Sequence, residues 1–166
     1  ALNSEVIKSW RERFEKRKAH LLLARRLYLS SPGTHLIAFY SDSPTVGIDL
    51  WSLRNLDKDA SKIMALWFNS SINVLQLLQL GVACEGPWMK LHEYMFDQLL
   101  VPDLSKLSKK EIRQLLDVFD QTKDVSFPCF KEQLKKANQN RRRIDKMWLE
   151  ILGYKGDSDV LLRNLY

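Results

Sequence analysis

Apolar and polar positions alternate along this chain with two periods, one near 3.6 and one near 2. From Ser4 to about residue 18, Val6, Ile7, Trp10 and Phe14 recur at helical spacing among basic residues. Ser4 can cap this helix, and Trp10 and Phe14, four apart, can touch. The apolar run LLLARRLYL follows His20 and ends at the turn cluster Ser30-Ser31-Pro32-Gly33. Residues 20–28 read either as a strand or as a helix end. THLIAFYSD, from Thr34, reads as a strand. TVGIDLWSLR, from Thr45, sets Val46, Ile48 and Leu50 on one face and Gly47, Asp49 and Trp51 on the other. These segments predict a small antiparallel sheet.

The pattern then changes to a long helix over about 58–80, capped by Asp57 or Asp59 and stopped by Gly81. Its apolar residues go nearly all round, which places it at the centre of the fold. Gly86-Pro87 predicts a turn, Trp88 to His92 a short strand, and Tyr94 to Leu99 a helix ended by Pro102. Residues 104–107 read as a linker. Helices follow at about 108–121, 128–138, 140–152 and 157–165. Ser108 and Glu111 form a capping box, and Gly153 ends the third of these helices. There is no internal repeat.

Charge adds structure to this picture. The 166 residues carry a net +6, but residues 1–28 hold +5, 29–104 hold −4, 105–147 hold +6 and the remainder −1. Basic ends around an acidic middle suit a protein that meets a polyanion; solvated helix faces explain the same pattern. Cys84 and Cys129 lie far apart without metal spacing, which points to a reducing, cytoplasmic setting. No secretory leader is expected, and the apolar run from Ile63 to Leu80 is too often interrupted by Asn, Ser and Gln to span a membrane.

Four segments, in this order, carry a resemblance. THLIAFYSD leads into the tryptophan-containing IDLWSL, and KIMALWFNSS follows. GPWMKLHEYMFDQLLVPDL comes next, and RRRIDKMWLEILGY with VLLRNLY closes the series. Together they resemble the region after the catalytic domain in adenine-specific (N-6) DNA methyltransferases of restriction-modification systems. The likeness covers nearly the whole chain from about residue 34. It implies an α+β fold, with a small antiparallel sheet packed on the long central helix and a C-terminal helical segment. Residues 1–104 would form the α+β core, and 105–166 the helical segment on the same domain.

The family's catalytic tetrapeptide, Asn or Asp followed by Pro-Pro and an aromatic, is absent; Pro32, Pro44, Pro87, Pro102 and Pro128 are all isolated. The glycine-rich loop for S-adenosylmethionine is absent too. The resemblance therefore implies a non-catalytic target-recognition or accessory fragment without a cofactor of its own. Its partners would be DNA, the catalytic domain upstream, which would bind S-adenosylmethionine, and a specificity subunit. No membrane is implied.

The candidate DNA-binding residues form three groups. Arg11, Arg13, Lys16, Arg17, Lys18, Arg25 and Arg26 make the first basic cluster, and Lys135, Lys136, Arg141, Arg142 and Arg143 the second. Either can bind phosphates or coat a solvated helix. Trp88 and Lys90 make a candidate DNA-facing edge, the indole stacking and the lysine reaching a phosphate; the competing expectation puts Trp88 in the core. Asn69-Ser70-Ser71 superficially resembles a degenerate catalytic motif. A mid-helix Asn69 cannot present a flipped base with the needed geometry, so a buried polar role is expected, bonded to a neighbouring loop. His20, His35 and His92 lack ligand spacing, and no serine or cysteine has a general base in reach. Asp42, Asp49 and Asp57 form no nuclease pattern. The alternative to DNA recognition is a docking or dimerisation module with no DNA contact.

Overall fold

A computed structural model describes residues 4–80 and 87–165 and has the α+β architecture expected. The ambiguous run after residue 18 is a strand, β1 (Ala19–Ala24), and it is the middle of the sheet. Leu21 and Leu23 are fully buried and Leu22 nearly so, which explains the unbroken apolar run: both faces of this strand are covered. β3 (Ala38–Thr45) and β4 (Leu50–Leu53) pair with β1 antiparallel on either side, giving the order β3-β1-β4. Two further short strands, β2 (Arg26–Leu27) and β5 (Met89–Lys90), form a separate antiparallel ribbon.

The expected strand from Thr45 is shorter than its alternation suggested. Thr45 sits opposite Ala19 and Leu50 opposite Ala24, so residues 46–49 must travel from one end of β1 to the other. They lie outside the ladder, Ile48 is 99% exposed, and Asp49 takes a positive φ of 58°. Period-2 alternation is meaningful only inside a ladder, and here the crossing segment imitated it.

The single long helix is two helices. α2 (Lys58–Asn69) and α3 (Ser71–Leu80) meet at an angle of 64°. Asp57 caps α2 by accepting from the Ala60 amide at 2.7 Å. At the other end Ser70 is extended, with its hydroxyl donating to the Trp67 carbonyl and accepting from the Asn73 amide. One serine thus closes α2 and opens α3. The Ser71 amide donates to the Asp145 carboxylate at 2.7 Å. Asn69 therefore stands at a helix end. Its carboxamide accepts from the Ile37 and Ala38 amides at 2.8 and 3.0 Å and donates to the Ala38 carbonyl at 2.9 Å. The buried polar role expected of Asn69 is its actual one.

The core lies between the sheet and α2 and continues into the C-terminal helices. α4 (Lys109–Thr122), opened by the Ser108–Glu111 capping box, contributes Leu115, Val118 and Phe119. α5 (Phe130–Lys135) contributes Phe130, and α6 (Gln139–Ile151) contributes Ile144 and Trp148. Trp67 and Trp148 meet edge to face at 5.1 Å. α6 ends at Gly153, whose φ of 73° suits glycine, and α7 (Ser158–Leu165) packs back on it. Between β5 and α4 the chain forms 3₁₀ turns over Glu93–Gln98 and Leu104–Lys106, where a helix and a linker were expected. The expected stop at Gly81, Gly86 of the turn and Cys84 lie outside the described residues. No single described helix is long and apolar enough to cross a membrane.

Candidate nucleic-acid interface

The β2–β5 ribbon brings together residues more than sixty positions apart. Arg26 is the cross-strand partner of Lys90, and Leu27 of Met89. The Leu91 amide continues the ladder by donating to the Arg25 carbonyl at 2.8 Å. Alternation then sorts the side chains. Leu27 and Leu91 are buried on the inner face, at 2% and 1% exposure. Arg25 also turns inward, its guanidinium 4.4 Å from the centroid of the Trp51 ring. Trp51 in turn donates its indole N–H to the Leu91 carbonyl at 3.1 Å, which locks the ribbon to β4.

The outer face carries Arg26 and Lys90 side by side. Tyr28 and Trp88 flank them on one side, with ring centroids 5.6 Å apart. His92, stacked on Tyr94 at 5.5 Å, flanks them on the other. Trp88 is 46% exposed and Tyr94 53%. Trp88 is therefore not in the core; its ring covers Tyr28 at the ribbon's edge. Two cations directly opposite on a strand pair repel, and an anion between them removes that cost. Arg26 has an ion-pair partner in Asp49, whose carboxylate lies 3.4 Å from Arg26 Nε with both side chains about half exposed. Such an exposed pair is weak and yields readily to a phosphate. Aromatic rings on both sides of a cation pair can stack on bases while the cations hold the backbone.

The other candidates have different fates. Arg11, Arg13, Lys16 and Arg17 lie exposed on the N-terminal helix α1 (Ser4–Arg17), none of whose residues is buried. Lys18 pairs with Glu15 at 2.6 Å. In the second cluster the burial of Arg141 corrects the sequence expectation for that residue. Arg141 is 1% exposed; its Nε donates to Gln133 and its guanidinium to the Asn69 carbonyl, both at 2.7 Å, over the ring of Phe130. Arg142 donates to Asp159 at 2.6 Å, and Lys136 pairs with Glu132 at 2.8 Å. Arg143 and Lys135 remain exposed. A helix that packs one face against the core cannot offer three consecutive arginines to a ligand.

Tyr28, His92 and Tyr94 escaped the sequence reading. Their signal was the period of two through Trp88, Lys90 and His92 and through Arg26 and Tyr28, which only the strand pairing makes legible. Among the described residues no group of His, Cys, Asp and Glu could hold a metal ion. Compared with family models, with curated proteins and with solved structures, the chain matches none.

Proposed function

We propose that this chain is the non-catalytic DNA-recognition or accessory part of an adenine-specific DNA methyltransferase from a restriction-modification system. In this reading the outer face of the β2–β5 ribbon contacts the DNA. Arg26 and Lys90 hold phosphates, Trp88 and Tyr28 offer ring faces to bases, and the exposed cations of α1 extend the electrostatic footprint. The observation that carries the reading is the Arg26–Lys90 cross-strand pair set between aromatic rings. The parent enzyme would bind S-adenosylmethionine through a separate catalytic domain and would act in the cytoplasm, where DNA and cofactor meet.

Fluorescence anisotropy with a labelled duplex at several salt concentrations tests this. Binding should weaken linearly in log salt, and the Arg26→Ala, Lys90→Ala double variant should flatten the slope by about 0.9 per lost phosphate contact. An Arg143→Ala control should leave the slope nearly intact. Absence of any salt-dependent binding refutes the reading. The docking alternative would then stand on α1, where Val6, Ile7, Trp10 and Phe14 are 41%, 46%, 69% and 39% exposed on a helix that buries nothing.

A further inference from the structure

The outer face of the β2–β5 ribbon ends in an aromatic platform on each side. At one end Trp88, 46% exposed, leans on Tyr28, with ring planes tilted by 58° and centroids 5.6 Å apart. At the other end Tyr94, 53% exposed, lies nearly parallel to His92, 16° off plane at 5.5 Å. In each pair the inner ring, Tyr28 or His92, is half-buried, so the outer ring is backed and held. A ring held in place loses little freedom when another ring stacks on it.

Trp88, Lys90 and His92 alternate along one extended stretch. β5 covers Met89–Lys90, Leu91 continues the ladder, and His92 is still extended, with φ −88° and ψ 155°. Their side chains therefore share the outer face, and four residues of strand put Trp88 about 13 Å from His92. Lys90, with Arg26 opposite it, stands halfway. The order across the face is ring, cation pair, ring.

This order discriminates between paired and unpaired bases. In a duplex the flat face of each base is covered by its neighbours in the stack, and the grooves present only base edges. A ring can then meet a base face only by wedging the stack open, which costs stacking energy. In a single strand each base can turn its face to a ring while the backbone runs on. The charges point the same way. The ribbon face carries two cations, one of them already paired with Asp49 at 3.4 Å, and the exposed Glu93 precedes Tyr94. That balance suits a few phosphates better than a double helix, with a negative charge about every 1.7 Å of its axis.

We propose that the outer face of the ribbon binds an unpaired stretch of DNA in preference to duplex. One base stacks on Trp88 and another on Tyr94, and Arg26 and Lys90 hold the phosphates between them. The inference rests on the DNA reading above and narrows its ligand to a single strand. Duplex meets the same cations and leaves the rings unused. Stacking accepts any base, so the preference is for strand state and not for sequence.

The test uses the whole chain and fluorescence anisotropy with three labelled ligands. These are a thymidine oligomer of about 12 nucleotides, a mixed-sequence duplex of the same length and the matching uridine oligomer. The thymidine oligomer should bind at least roughly tenfold tighter than the duplex, with a salt slope of about 0.7 per phosphate contact. Trp88→Ala with Tyr94→Ala should weaken single-strand binding roughly tenfold per ring and leave duplex binding nearly unchanged. Trp88→Phe with Tyr94→Phe should retain the preference, and circular dichroism confirms that both double variants are folded. Duplex bound as tightly as the single strand overturns the inference and leaves the DNA reading standing, whereas binding of neither removes both. A preference that survives the double alanine variant also overturns it. So does tighter binding of the uridine oligomer, which would require a 2′-hydroxyl contact that stacking does not supply.

Discussion

Replacing Asn69 by alanine isolates the joint between α2 and α3. The substitution removes three hydrogen bonds and leaves the Ile37 amide and both backbone groups of Ala38 without partners. Those residues are 1% and 2% exposed. An unsatisfied buried group costs about 1–3 kcal/mol, which sets an upper limit near 9 kcal/mol for three. Asn69 also lines the cavity beside β3, so water can enter the space it vacates and rehydrate part of the exposed set. A loss of about 3–4 kcal/mol is the expected result. With a urea slope of about 2 kcal/mol per molar, the midpoint should fall by roughly 1.5–2 M at unchanged slope. Hydrogen exchange gives a second readout, because the Ile37 and Ala38 amides should lose protection more than those of β1. A loss below about 1 kcal/mol, with those amides still protected, would refute the account of Asn69 as the partner of β3.

Other outcomes follow from the same structure. Trp67, 3% exposed and packed on Trp148, should cost about 3–5 kcal/mol when truncated to alanine, against almost nothing for Lys109 on the surface; equal effects in chemical denaturation would contradict the core assignment. Asp159 is held below its usual 3.8 first by the hydrogen bond from Lys146 and then by the other contacts of Lys146 and Arg142. A depressed carboxylate stabilises the fold above its unfolded value and loses that contribution as pH falls through its lower folded value. Asp159→Asn should therefore flatten the acid limb of a stability-against-pH curve, and an unchanged limb would show that the ion pairs do not hold α7. Titration calorimetry of the chain with S-adenosylmethionine should give no heat; a micromolar dissociation constant would overturn the non-catalytic reading.

What could be read in advance was local. The Asp57 cap, the Ser108–Glu111 box and the Gly153 stop are written within four residues of the ends they define, and each is where it was expected. The break at Ser70 was hidden because its local serine bonds to Trp67 and Asn73 are reinforced by Ile37, Ala38 and Asp145, whose bonds to Asn69 and Ser71 span 31 to 74 residues. Arg141 looked like one of three surface arginines because nothing nearby announces that Gln133 and the Asn69 carbonyl enclose it. Half of the candidate interface was named in advance through Arg26, Trp88 and Lys90. Their adjacency, and the rings of Tyr28 and Tyr94, depended on a strand pairing with no local signature.

The Asn69–Ser71 joint also bears on how the chain comes apart. Within three residues it is bonded to the start of β3, to Asp145 and, through Asn69, to Arg141 of the last third of the chain. Loosening α6 takes the Asp145 carboxylate from the Ser71 amide and the Arg141 guanidinium from the end of α2 in one event, at the joint whose Asn69 side chain anchors β3. Opening of the C-terminal helices and of the sheet is therefore coupled, giving one unfolding transition instead of two. A protease cut in the exposed stretch around Leu100 and Val101 would accordingly leave two pieces that stay together and melt together, held by side chains and not by the peptide bond.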